Sequence, residues 1–391
     1  MNMEEIYNAL VEGEEEKARM LLIDFLNGQF DLKVENFEFQ QSEVSLNSFK
    51  GVFESGGKRY FFKTHIEQGG QVREYVGAKL LEEVGYSVIA PAFSCEDSGK
   101  ELLVYPFIED QSLFDLVLEM NRHESNVALK DLRETQEFFD RDVFKIYEET
   151  LTEGRPDRFP DVQQLFYLRL KGPRFEDFYE GASRELADGW REFEELAQAS
   201  WIVNGRPMGV MQAWLDRAAR LLKPESMLDF SIIGHGDAHN GNVFYRAEGF
   251  RYFDPAYAGR MDPFLDLTKP LFHNTFARWM YFPGWVEENF EVEMKLMDGV
   301  AVVNHNFQPS EVEWMFFDSK VRNVLVPTVE LLRERGLLPE DWQERLRSSL
   351  MCCPLLTVNL FDESKYSQQM AALGFAMVAE MANLDFNVYF S

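Results

Sequence analysis

The chain has 391 residues, 46% hydrophobic and 14% aromatic, with 67 acidic against 39 basic side chains for a formal net charge of -28. That length and apolar content can fill two separate cores, which argues against disorder, and so negative a surface repels nucleic acid and anionic membranes. No uncharged apolar run of about 18 residues is available to span a membrane. Cys95, Cys352 and Cys353 make neither a disulfide framework nor a zinc spacing, so a reducing, cytoplasmic compartment is expected.

Residues 1–34 are acidic and amphipathic, unlike a signal peptide, and predict a helical extension. Residues 35–110 read as a small mixed lobe. In it, 45–53 and 58–63 alternate apolar and polar side chains around Glu54-Ser55-Gly56-Gly57, the pattern of an antiparallel hairpin whose second strand ends at Lys63. Residues 72–85 have helical spacing, carry Glu74 near their start and stop at Gly85. Residues 101–108 read as a buried strand closed by Pro106, with Tyr105, Phe107 and Ile108 at its end. A helix follows through Leu113, Phe114, Leu116 and Val117.

Residues 111–391 predict a larger, mostly helical lobe. Helical patterns over 120–225 are broken at Gly154-Arg155-Pro156, Gly172-Pro173 and Gly205-Arg206-Pro207. The aromatics of this stretch, among them Phe166, Tyr179, Trp190 and Trp201, are expected in the core. A buried strand over 228–233 then leads into His235-Gly236-Asp237-Ala238-His239-Asn240-Gly241-Asn242. Strands at 242–245 and 250–253, turning at Ala247-Glu248-Gly249, bring the chain back to Asp254-Pro255. Further on, helical spacing would place Glu287 and Glu291 on one exposed face.

An Asp, an Asn five positions later and a second Asp beyond a hairpin form the layout used to seat a nucleophile and magnesium in phosphoryl transfer. Such transfer needs positioning and charge neutralisation more than covalent help. Asp237 can accept a hydrogen bond from an acceptor hydroxyl or amine and orient it. Asn242 and Asp254 offer the hard oxygen ligands that magnesium prefers.

The H-G-D-x-H-x-x-N run with the following F-D-P resembles the aminoglycoside phosphotransferase and choline kinase-like family, small-molecule kinases on a protein-kinase-like fold. The resemblance implies an α+β, two-lobed architecture, with a small antiparallel-sheet lobe and a larger mostly helical one. It implies ATP or GTP with Mg²⁺ as cofactors and a small-molecule acceptor as partner. Asp237 then aligns the acceptor, His235 braces the loop, which His239 also joins, and Asn242 with Asp254 holds magnesium. Lys63 reaches the nucleotide phosphates and pairs with Glu74, as in the family's R-E-x-x-x-x-x-x-L pattern. Tyr105, Phe107 and Ile108 fall where a hinge meets the base. No G-x-G-x-x-G precedes Lys63; Ser48 is the residue expected to touch phosphate there. Asp266, in a G-x-x-D-P-x-x-D-L element, is expected to cap a helix or brace the loop.

The acidic balance suits a cationic acceptor such as an aminoglycoside or a choline-like amine. Three rival readings are a catalytically silent nucleotide-binding module, a kinase-fold enzyme acting on protein, and a metal hydrolase built on His235, Asp237 and His239. The second lacks an A-P-E element after Asp254, and the third leaves Lys63, Glu74, Asn242 and Asp254 unexplained.

Overall fold

A computed structural model describes residues 3–40, 49–64, 73–95, 97, 99–186 and 189–390. The fold is α+β, and the chain divides into two compact units: 1–111 with 244–258, and 112–243 with 259–391. No helix among the described residues is long and apolar enough to cross a membrane.

In the smaller unit, helices α1 (Met3–Val11) and α2 (Glu15–Phe30) precede strands β1 (Glu35–Gln40), β2 (Lys50–Ser55) and β3 (Lys58–Thr64). Helix α3 (Arg73–Glu83) and strands β4 (Phe93–Cys95) and β5 (Leu102–Pro106) complete an antiparallel sheet in the order β1-β2-β3-β5-β4. The two-residue side-chain period of a strand sorts the sheet into two faces. Phe62, Leu102 and Val104 point to one face and join Met3, Ile6, Leu22 and Leu26 in a single core, so the first 34 residues share a core with the sheet. Phe61, Leu103 and Tyr105 point to the other, with Tyr75 of α3 and Ile89. Lys63 belongs to this second face by the same alternation and pairs in register with Leu103.

Pro106 closes β5 where a proline is tolerated. The neighbouring Phe107 N–H donates to the Arg59 carbonyl, so the ladder toward β3 is served at alternate residues. β4 has already ended on the other side, and no partner there requires an N–H from residue 106.

The hairpin β12 (Val243–Arg246) and β13 (Gly249–Tyr252) is fastened to this unit at the 87–89 segment. Tyr252 N–H donates to Ser87 O, Ile89 N–H donates to Tyr252 O, and Ser87 Oγ donates to Phe250 O. α3 packs close behind: a Cβ at Gly77 would lie 2.3 Å from the Pro255 carbonyl, so only glycine lets the helix meet the segment after Asp254.

The larger unit begins at Ser112, whose hydroxyl accepts the Asp115 N–H and caps α4 (Leu113–Asn121). α5 (Leu129–Thr150) and the helices Pro263–His273, Glu311–Lys320, Trp342–Leu356 and Gln368–Ala382 build its core. Strand β11 (Phe230–Gly234), buried throughout, lies between β6 (Thr152–Glu153) and β14 (Gly259–Met261) and ends at the His235 loop.

Three expectations are corrected here. The stretch over 120–225 contains strands as well as helices: β7 (Ser183–Leu186) pairs with β8 (Gly189–Glu192), and β9 (Ser200–Val203) with β10 (Arg206–Val210). β9 also pairs in parallel with β16 (Val300–His305), which continues to β15 (Val292–Met297), giving the order β10-β9-β16-β15. Phe166, Tyr179 and Trp201 are buried as expected, but Trp190 on β8 is 65% exposed, because it lies opposite Glu185 on the outer face of the β7–β8 ribbon while Arg184 and Leu186 take the buried face. The helix with Glu287 ends at Asn289, whose side chain turns back onto the Trp285 carbonyl, so Glu291 lies outside it and hydrogen-bonds Asn306 through its backbone. Val292, Met294 and Leu296 then alternate with polar residues, and strand pairing overrides the helical spacing.

Candidate functional site

In the smaller unit, Lys63, Glu74 and Asp254 meet. The Lys63 ammonium is 2.6 Å from Glu74 Oε2 and 3.0 Å from Asp254 Oδ1. Glu74 is 2% exposed, and its other oxygen accepts a hydrogen bond from the Tyr105 hydroxyl. Burial pulls the Lys63 pKa down, but Asp254 and Glu74 outweigh it and hold the ammonium above its ordinary value. Burial, and then the Glu74 carboxylate, raises the Tyr105 hydroxyl well above the ordinary phenol range, so it stays a neutral donor. Tyr105 thus steadies Glu74 as well as bordering the cavity. Asp254 holds φ at 55°, a left-handed conformation costing an ordinary residue roughly 1–2 kcal/mol, which the fastened hairpin and Gly77 contact sustain.

These groups line one wall of a cavity of about 400 Å³. Phe107 and Ile108 border it as expected, together with Phe61, Ile89, Phe244 and Phe253. Phe244 and Phe253 stack across the hairpin at 4.4 Å, and Lys50 adds a second ammonium. Lys50 stands next to Ser48 and Phe49 in the stretch where a phosphate-covering loop is expected, whereas no motif in the sequence marks Ile89 or the Phe pair as cavity residues. Only the pairing of Phe244 and Phe253 across the turn could have signalled the last two. Ser48 lies outside the described residues.

In the larger unit, His235, Asp237, His239 and Asn242 share one tightly bonded loop. His235 is fully buried, and its Nδ1 accepts the Asp237 N–H at 3.3 Å. His239 Nδ1 accepts the Gly241 N–H at 3.0 Å, and Asn242 Nδ2 donates to the Asp237 carbonyl at 2.9 Å, presenting Oδ1 as its remaining polar atom. Asp266 takes the bracing role: Oδ1 accepts from Gly236 N–H at 2.5 Å and Oδ2 from the Tyr147 hydroxyl. The N-cap of Pro263–His273 falls instead to Asp262, which accepts the Phe264 N–H. Gly234 makes room, because a Cβ there would lie 2.5 Å from the Asp266 carboxyl carbon.

Around Asp237 the structure adds Lys269, His273 and Tyr281, which no motif disclosed, beside His239, which one did. Lys269 Nζ is 3.8 Å and His239 Nε2 3.9 Å from Asp237 Oδ1, a buried oxygen with no hydrogen-bond donor among the described residues. Lys269 Nζ is 3.3 Å from His273 Nε2, and His273 Nδ1 is 2.8 Å from the Tyr281 hydroxyl. Burial, then the Lys269 ammonium, lowers the His273 pKa well below the usual histidine range.

No family model matches the chain, and no curated protein does. Among solved structures it is similar to the spectinomycin phosphotransferase APH(9)-Ia in complex with ADP and spectinomycin, at 16% identity over 92% of this chain and 98% of that one, with a TM-score of 0.41. It is also similar to a thermostable mutant of the aminoglycoside phosphotransferase APH(4)-Ia with ADP and hygromycin B, at 11% identity over 92% and 97% and a TM-score of 0.49. The macrolide 2'-phosphotransferase MphH from Brachybacterium faecium is a third, at 13% identity over 93% and 97% and a TM-score of 0.42.

Proposed function

We propose that this chain is a kinase-like phosphotransferase that moves the γ-phosphoryl group of ATP to a hydroxyl of a small molecule. The observation that carries this reading is the Lys63 ammonium held between Glu74 and Asp254 on the wall of a cavity with apolar sides. Apolar walls suit a nucleobase, and a fixed cation among them suits phosphate oxygens.

The donor chemistry fits magnesium. The Asp254 carboxylate and the Asn242 amide oxygen are both hard ligands of the kind Mg²⁺ takes alongside phosphates and water, and each is assigned on its own chemistry. Lys63, Glu74 and Asp254 together carry one net negative charge, so a triphosphate would meet repulsion unless a cation came with it. When bound, magnesium neutralises phosphate charge. The chain's own residues do the remainder. Lys63 fixes the phosphates, and Tyr105 and Glu74 fix Lys63. Asp237 accepts the hydrogen bond of the acceptor hydroxyl. As the acceptor oxygen bonds to the γ-phosphorus, the bond from that phosphorus to the bridging oxygen breaks, ADP leaves with the electron pair, and the hydroxyl proton passes to Asp237. The -28 net charge favours a cationic acceptor, of which aminoglycosides and choline-like amines are the first to try.

Thermal unfolding of wild type and Asp254→Ala, each with ATP or GTP and with or without magnesium, tests the site. Ligand at about 100 times its dissociation constant adds roughly 2.7 kcal/mol. A magnesium-dependent rise with ATP in wild type, lost in the variant, is the expected outcome. No rise in wild type would overturn the reading. Label transfer from γ-labelled ATP to the acceptor panel then identifies the substrate.

A further inference from the structure

We infer that Lys269 is a positioning residue of the transfer reaction, acting through Asp237, with His273 and Tyr281 as its mount. The inference rests on the phosphotransferase reading above. Lys269 lies in the helix Pro263–His273 with its side chain 6% exposed, and burying an ammonium costs several kcal/mol unless partners compensate. A buried ion pair elsewhere in the same unit is held at contact distance. Lys320 Nζ lies 2.5 Å from Asp140 Oδ1, and Ser319 Oγ donates to Asp140 Oδ2 at 2.7 Å. Lys269 stands instead 3.8 Å from Asp237 Oδ1, near enough for attraction and too far to use up a lone pair in a hydrogen bond.

Donor chemistry fixes the direction of the mount. An ammonium only donates, so His273 Nε2 must accept at 3.3 Å. The imidazole is then neutral with its proton on Nδ1, which donates to the Tyr281 oxygen at 2.8 Å. The depressed His273 pKa agrees with that state. Helical spacing of four residues sets Lys269 and His273 on one face, and the His239 ring, 5.3 Å from the His273 ring, closes the side. Lys269 therefore draws one Asp237 oxygen into a set orientation and leaves the other for the acceptor hydroxyl, whose proton moves to Asp237 as phosphorus–oxygen bonds exchange and ADP departs.

The test is a double-mutant cycle on ATP turnover with the acceptor found above. Lys269→Met keeps the length and removes the charge. It should lower kcat by about 10- to 100-fold, the usual cost of losing a group that orients a reactive one, while the dissociation constant for magnesium-ATP stays within about twofold. Lys269→Arg should recover part of the loss. In an Asp237→Asn background Lys269→Met should cost nothing further, since its effect passes through the missing carboxylate. An unchanged kcat in Lys269→Met, or a loss that multiplies in full in the Asp237→Asn background, would overturn the role. Should Lys269→Met not fold, Lys269→Gln runs through the same cycle. If wild type shows no magnesium-dependent ATP turnover with any acceptor, the phosphotransferase reading falls and this role with it. Turnover by wild type that Lys269→Met matches removes Lys269 alone.

Discussion

Lys63, half-buried in the smaller unit, and Lys269, buried in the larger, are both ammonium groups facing carboxylates, and they are held in opposite ways. Lys63 is in direct contact with two carboxylates, 2.6 and 3.0 Å away, and the buried one, Glu74, spends its second oxygen on the Tyr105 hydroxyl. Among the described residues, Lys269 has a single carboxylate at 3.8 Å and a neutral imidazole at 3.3 Å. A cation clasped at contact distance is fixed in place and carries excess negative charge around it, which suits a post for phosphate and metal. A cation held just beyond contact leaves its carboxylate, Asp237, with hydrogen-bonding capacity unspent, which suits a group that must accept a proton donor from outside. On the proposed phosphotransferase reading, the difference separates a cluster that serves binding from one that serves turnover.

Removing Asp237 should produce the largest effect. Asp237→Asn is expected to lower kcat by about 10²–10⁴, the range for a general acid–base group, with the nucleotide dissociation constant nearly unchanged by calorimetry. Nucleotide affinity falling in step with kcat would erase the distinction between the clusters. Lys63→Met comes next and should act on binding and stability together. It strips the Lys63 cation from contact with buried Glu74, and breaking such a pair costs about 3–5 kcal/mol. Urea unfolding should show that loss, with Glu74→Gln added to Lys63→Met restoring part of it. Lys269→Met should cost far less stability, because fewer hydrogen bonds are lost. Equal costs at the two lysines would mean that the longer Asp237 distance has no functional sense.

The two clusters were unequally legible in the sequence. Asp237, Asn242 and Asp254 lie within one loop and one hairpin, so local spacing alone brings them near each other along the chain. Lys63 and Glu74 follow from strand alternation and helix position, since each element has one face to bury. Lys269 and His273 belong to a helix whose every residue is buried, Tyr281 ends the separate short helix Arg278–Tyr281, and only tertiary packing selects the side that meets Asp237. For the same reason the β9–β16 pairing was missed: four-residue strands carry little periodic signal, and their partner lies about a hundred positions away. Tyr105 stands at a strand end, the place of a hinge residue, but no local pattern announces that its hydroxyl is committed to Glu74.

A smaller effect should appear in the acid stability of the Lys269 cluster. The folded-state pKa of His273 lies below its ordinary value near 6.5, through burial and the charge of Lys269, with His239 and Arg169 adding to it. The unfolded chain therefore takes up this proton first as pH falls. Its stability contribution is intact above about pH 6.5 and declines below it, at no more than about 1.4 kcal/mol per pH unit. His273→Gln should flatten the decline between neutral and mildly acidic buffer in paired unfolding curves. Parallel curves for variant and wild type would show that His273 protonates freely in the fold, and the neutral mount would be lost.

Tyr281→Phe is the mildest change and the one that tests direction. The ring stays, with its edge-on packing 5.0 Å from Phe114, and only the oxygen beside His273 Nδ1 is removed. A buried N–H without an acceptor costs about 1–3 kcal/mol. Since Lys269 still occupies Nε2, the tautomer should not change: nitrogen NMR of the imidazole should report a protonated Nδ1 in wild type and in Tyr281→Phe alike, and a released tautomer only in Lys269→Met. A wild-type ring protonated at Nε2 would mean that Lys269 does not donate to it, that the ammonium is anchored by Asp237 alone, and that the contrast with Lys63 is one of distance without a device to maintain it.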